Sequence, residues 1–71
     1  MNELDLLRLR SAERQMVKEI LAVIDTAYAR GWTEAKCNSM IARLPIEKKY
    51  KEIIRALIAK VYNDEIVRLP F

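Results

Sequence analysis

Cys37 is the one thiol in the sequence, and no histidine accompanies it. A nucleophilic cysteine needs a base within hydrogen-bond reach, and a redox cysteine needs a second thiol. The chain supplies neither. Ser11 and Ser39 lack a histidine to activate them, and one thiol cannot build a tetrahedral zinc site. The carboxylates are scattered, with no pair brought together by helical spacing. Gly31 is the sole glycine, so there is no glycine-rich phosphate loop. Three short helices also rarely enclose the roughly few hundred Å3 that a small substrate needs. The residues therefore predict no catalytic, metal or cofactor site and no small-molecule substrate. Cys37 falls on an apolar stripe and reads as a small core residue. Glu13 falls inside an apolar arc, where a lone carboxylate is costly unless paired; an exposed first helical turn is the plainer explanation.

The chemistry left is binding. Lys36, Asn38, Ser39 and Arg43 are spaced to face outward from one short helix, and such side chains contact bases or phosphates. Lys48, Lys51 and Arg55 share one side of the next helix, with Lys49 near them. As phosphate contacts they would make binding salt-sensitive; as an ordinary solvated face they would be laced with pairs such as Glu47–Lys51. Ala27, Gly31, Trp32, Cys37 and Met40 occupy the small, glycine and apolar places of a helix-turn-helix template, over about twenty of the 71 residues. In that limited sense the segment resembles a helix-turn-helix, which implies a recognition helix at 33–44. The sequence departs from the template at Arg30 and Thr26, where apolar residues belong. Its first helix is also twice the usual length. A structural corner plugged by Trp32 is thus the first expectation and a DNA reader the second. Among aromatic and leucine side chains, Leu4, Leu7, Trp32, Tyr50, Tyr62 and Phe71 are the candidates for an interface, since aromatics dominate interface energies.

These residues must be positioned by helices, because no alternating run bounded by turns suggests a strand. Met16, Ile20, Val23, Ile24, Ala27 and Tyr28 recur at spacings of three and four, predicting a helix over about 12–30. Leu6 and Leu9 would extend its face back toward Asn2, whereas Leu4 and Leu7 would fall beside Lys18. Either the helix breaks near Arg10 and Ser11, with Ser11 as the cap of the following helix, or the N-terminal turn packs against something else, such as a partner chain. Gly31 supplies a left-handed C-terminal stop. Thr33 caps a second helix over 33–44, carrying Cys37, Met40, Ile41 and Leu44, which Pro45 closes. A third helix over 46–62 starts at Pro45 or Ile46. It presents Tyr50, Ile53, Ile54, Leu57, Ile58, Val61 and Tyr62. Asn63 is expected to cap a short final turn, Asp64–Leu69. The sequence Ile41-Ala42-Arg43-Leu44-Pro45-Ile46 is echoed by Ile66-Val67-Arg68-Leu69-Pro70-Phe71, which reads as a repeated helix-stop device.

The whole is one small all-α domain, 1–71, of three main helices with short extra turns at both ends. A chain this short buries only about 60% of its unfolded surface. With 52% hydrophobic residues and no disulfide available, self-association is the expected remedy, as a homodimer. Residues 1–42 carry six basic and six acidic groups and residues 43–71 seven and four, so the excess of +3 lies in the C-terminal part. That asymmetry suits an anionic partner. The charged start, the lone cysteine and the lack of an apolar run near ~20 residues suggest a cytoplasmic protein that does not enter membranes. The expected function is a small regulatory, adaptor or inhibitor protein acting through protein contact. The alternatives are a helix-turn-helix DNA-binding regulator and a subunit of a larger assembly.

Overall fold

The computed structural model describes residues 3–71, so a helical start at Asn2 lies outside the described residues. The elements are α1 (Glu3–Leu7), α2 (Ser11–Ala29), α3 (Glu34–Ala42) and α4 (Lys48–Tyr62). The three main helices fall where the apolar spacing puts them, and α1 is one short extra turn.

Each boundary has a local cause. Between α1 and α2, Arg10 is extended (φ −73°, ψ 164°) and occupies the N-cap. Its backbone N–H donates to Glu13 Oε1 at 2.8 Å, half of the reciprocal arrangement of a capping box. Ser11, expected as the cap, is instead the first helical residue, because Glu13 already serves the cap backbone from the third position. Glu13 sits in a first turn after all. At the other end of α2, Gly31 is left-handed (φ +83°). Its N–H donates to the Tyr28 carbonyl and that of Trp32 to the Ala27 carbonyl, at 3.1 and 3.0 Å. This is the paired bonding of a Schellman stop. Thr33 caps α3, its hydroxyl accepting from the Lys36 N–H at 3.1 Å.

The start of α4 corrects the expected boundary. Pro45 does not open the helix; the Ile46 N–H bonds the Leu44 carbonyl at 2.9 Å, a tight turn centred on the proline. Glu47 becomes the N-cap and the helix begins at Lys48. The end of α4 is a second Schellman stop, with Glu65 N–H on the Lys60 carbonyl and Asp64 N–H on that of Val61. Asp64 holds the left-handed place (φ 57°). The Tyr28 hydroxyl donates to its Oδ1 at 2.6 Å, which ties a conformation unusual for a non-glycine residue to α2.

Asn63 therefore ends a helix and caps none. The final turn expected at Asp64–Leu69 is absent; residues 65–71 are irregular. The second copy of the hexapeptide stops no helix: Ile41 is buried within α3, whereas Ile66 is 77% exposed. Val67, Leu69 and Phe71 turn inward at every second residue, the period of an extended chain.

The helices are joined through α4, on which both α2 and α3 pack. Tyr28 and Tyr62 meet edge to face, ring centres 5.0 Å apart, so the last turns of α2 and α4 are neighbours. Their first turns share a notch lined by Glu13 and Tyr50; the two helices thus run the same way. α3 runs back along α4 in the opposite sense, since Lys51 Nζ donates to the Ala42 carbonyl at 2.8 Å and the Tyr62 hydroxyl to the Trp32 carbonyl at 2.6 Å. One core cluster joins Ile24, Ala27, Cys37, Ile41, Ile54 and Ile58. The other joins Leu6, Leu9, Val17 and Leu57 under the tail. No polar or charged residue is buried among the described residues.

Candidate interaction surfaces

The reactive-looking side chains point inward. Cys37 is fully buried, and its Sγ lies 3.2 Å from the Tyr62 hydroxyl oxygen. That contact, together with the loss of water around the ring, pushes the Tyr62 phenol up to about 12. A phenol so held stays protonated at neutral pH and cannot serve as a base for the thiol. Ionisation would also forfeit the bond Tyr62 donates to the Trp32 carbonyl. The pair pins the α2–α3 corner to the end of α4. Tyr28 is likewise raised, first by the hydrogen bond to Asp64 and then by its charge.

The outer surface of α2 divides into two flanks. On one, Arg14 and Lys18 stand over the Phe71 ring, 5.2 and 5.6 Å from its centre, and Leu21 packs in the tail cluster. Arg14 Nη2 also donates to the Leu7 carbonyl at 2.8 Å, closing the end of α1. This flank is covered by the chain itself. From Tyr28 back to Arg14, α2 rises about 21 Å, and the extended residues from Glu65 to Phe71 reach about 23 Å. The tail is therefore long enough to retrace about three quarters of α2.

The other flank is open. A groove of about 300 Å3 is lined by Ala22, Val23, Thr26, Ala27, Arg30 and Trp32. Val23 is 51% exposed, and the Thr26 hydroxyl is tied back to the Ala22 carbonyl at 3.0 Å. Trp32 also walls a second hollow of about 490 Å3, with Lys36, Ser39, Met40, Arg43 and Leu44. Trp32 thus stands between two halves of one surface with an apolar floor and a basic rim. The Lys36 ammonium lies 4.0 Å from the centre of the Trp32 ring, a cation–π contact.

The residues expected to touch nucleic acid are not all available. Lys36 and Ser39 on α3 and Arg43 at its C-cap are exposed and share the second hollow. Asn38 does not face outward as its spacing suggested: it is half-buried, and its Oδ1 is buried without a protein partner. It lies beside Cys37 and Ile41 on the inner side of the helix. Lys51 is half-buried and spent on the Ala42 carbonyl, so the expected Glu47–Lys51 pair gives way to Glu47–Lys49 at 3.6 Å. Lys48 and Arg55 are exposed. α2 and α3 meet mainly across α4 rather than helix against helix, unlike a compact helix-turn-helix.

Of the interface candidates, Leu4 and Leu7 are 58% and 45% exposed. Trp32 is half-buried in the open groove. Tyr50 floors the charged notch between α4 and the α1–α2 turn, under the Lys49 ammonium at 4.9 Å. Tyr62 and Phe71 are half-buried and spent on internal contacts. Val23, Arg30, Met40 and Leu44 complete the open surface. Apolar spacing assigns Val23, Met40 and Leu44 to core stripes; Val23 and Met40 lie at stripe edges, which was the available signal, and Leu44 lies beyond the end of α3. The chain matches no family model, no curated protein and no solved structure.

Proposed function

We propose that this protein is a small, non-enzymatic helical regulator or adaptor of the cytoplasm that works by protein contact as a homodimer. The observation that carries the reading is apolar side chain left outside a core that is already closed. Leu4 and Leu7 stand on the outer side of α1 while Leu6 and Leu9 fill the cluster beneath. Apolar surface of this kind on a short chain favours association. The buried thiol and the protonated Tyr62 beside it support binding rather than catalysis, and no described helix is long and apolar enough to cross a membrane.

Sedimentation equilibrium tests the reading. The wild type is expected to form a dimer whose population rises with concentration, and Leu4→Ala/Leu7→Ala to shift that equilibrium toward monomer with helicity retained by circular dichroism. A wild type that stays monomeric at every concentration would contradict the homodimer. The second reading, a DNA-binding regulator, draws on the exposed row Lys36, Ser39 and Arg43. Its mark would be duplex binding that weakens about a thousandfold between 50 and 200 mM salt, as six phosphate contacts require.

A further inference from the structure

We propose that the groove on either side of Trp32 receives an acidic peptide segment studded with apolar side chains, contributed by another protein. The proposal rests on the protein-contact reading above and names the partner's chemistry. Val23, Trp32, Met40 and Leu44 give the surface its apolar floor, and Arg30, Lys36 and Arg43 form its rim. No carboxylate lines either half. The notch beside Tyr50 is built differently: Glu13 and Glu47 line it together with Arg8, Arg10 and Lys49, and Glu47 pairs with Lys49 at 3.6 Å. At Trp32 the three cations share their hollows with no acid and form no ion pair among the described residues, so an acidic partner would meet an uncompensated basic rim. An apolar groove with a few convergent charges is the usual form of a docking site, and a half-buried tryptophan is a common anchor.

The molecule itself closes the opposite flank of α2 with an extended apolar segment. There the tail inserts Val67, Leu69 and Phe71, and the cations Arg14 and Lys18 fold over the aromatic ring. The open flank repeats the parts, an apolar floor and long basic side chains, without the segment. A nucleic acid fits less well. Trp32 and Lys36 suit a stacked base, but Val23, Met40 and Leu44 offer nothing to sugar hydroxyls or base edges.

Trp32 is the only tryptophan, so its fluorescence reads the site directly. The probe is a synthetic peptide alternating leucine or phenylalanine with glutamate and aspartate. Its twin carries lysine at every acidic place, and a mixed-sequence DNA duplex is titrated in parallel. The acidic peptide is expected to shift Trp32 emission to the blue and to saturate, and the lysine twin to leave it unchanged. Lys36→Glu/Arg43→Glu should weaken binding at least about tenfold with the circular dichroism spectrum intact. Val23→Lys, at an exposed position that keeps the basic charge, should weaken it similarly by removing the floor. No saturable shift with the acidic peptide, or a Val23→Lys protein that binds it as well as wild type, would overturn the proposal while the dimer measurement still judges the broader reading. Saturable quenching by the duplex, steep in salt and lost in Lys36→Glu/Arg43→Glu, would overturn both.

Discussion

The two flanks of α2 are made of similar side chains and end differently. On one, Leu21 is covered and Arg14 and Lys18 close over Phe71. On the other, Val23 stays half in water beside Trp32 with Arg30 and Lys36 at the rim. Both flanks border the same buried row, Val17, Ile24 and Ala27. The fold therefore needs one of them closed and not the other. We assign the covered flank to stability and propose the open one for binding; substitutions should separate the two.

The largest effect lies beneath the covered flank. Leu57 is 2% exposed and joins α4 to Leu6, Leu9 and Val17. Leu57→Ala is expected to cost about 2–5 kcal/mol, measured by urea denaturation, which would leave so small a domain largely unfolded. Next comes the cover itself. Phe71→Ala, at a half-buried ring, should cost about 1–2 kcal/mol and lower the melting temperature by several degrees. Val23→Ala on the open flank should stay within about 0.5 kcal/mol. Equal losses for Phe71→Ala and Val23→Ala would erase the distinction between the flanks.

The smallest effect at neutral pH concerns the corner that both flanks share. The Tyr62 phenol lies at about 12 in the folded chain, above its ordinary 10.0. Below about pH 10 both states keep the proton and the stabilisation is complete. Between about pH 10 and 12 the unfolded state ionises first, so stability falls as pH rises. Chemical denaturation across that range should show this loss, and Tyr62→Phe should flatten it; the Tyr28 phenol, raised by Asp64, leaves a remainder.

Much of the fold was legible in the sequence because its signals are local. Gly31 stops α2, Thr33 caps α3, and the three-and-four spacing of Ile24, Ile54 and Ile58 finds the core. The conflict between Leu4 and Leu6 on one helix face left two resolutions for the α1–α2 region, a break or a turn packed on a partner, and only the packing of Leu6 and Leu9 decides for the break. What was not legible depended on distant partners. Nothing near Lys51 in the chain says that it will reach the Ala42 carbonyl. Asp64 takes a glycine's conformation because Tyr28, 36 residues away, holds its carboxylate. The tail misled because Ile66–Phe71 repeats a hexapeptide that does follow a helix at Ile41. The inward alternation of Val67, Leu69 and Phe71 was the better guide, and it becomes meaningful only against α2. The open groove falls between: its cations were legible as a basic face, but the floor was hidden because Val23, Met40 and Leu44 also satisfy a core stripe.

The most direct test of the division between flanks is an amide proton–nitrogen NMR titration of the wild-type protein with the acidic apolar peptide. Saturable shifts are expected at Val23, Arg30, Trp32, Lys36 and Arg43, with Val67, Leu69 and Phe71 unmoved. Shifts centred on the tail and Arg14, with the Trp32 surface silent, would contradict it.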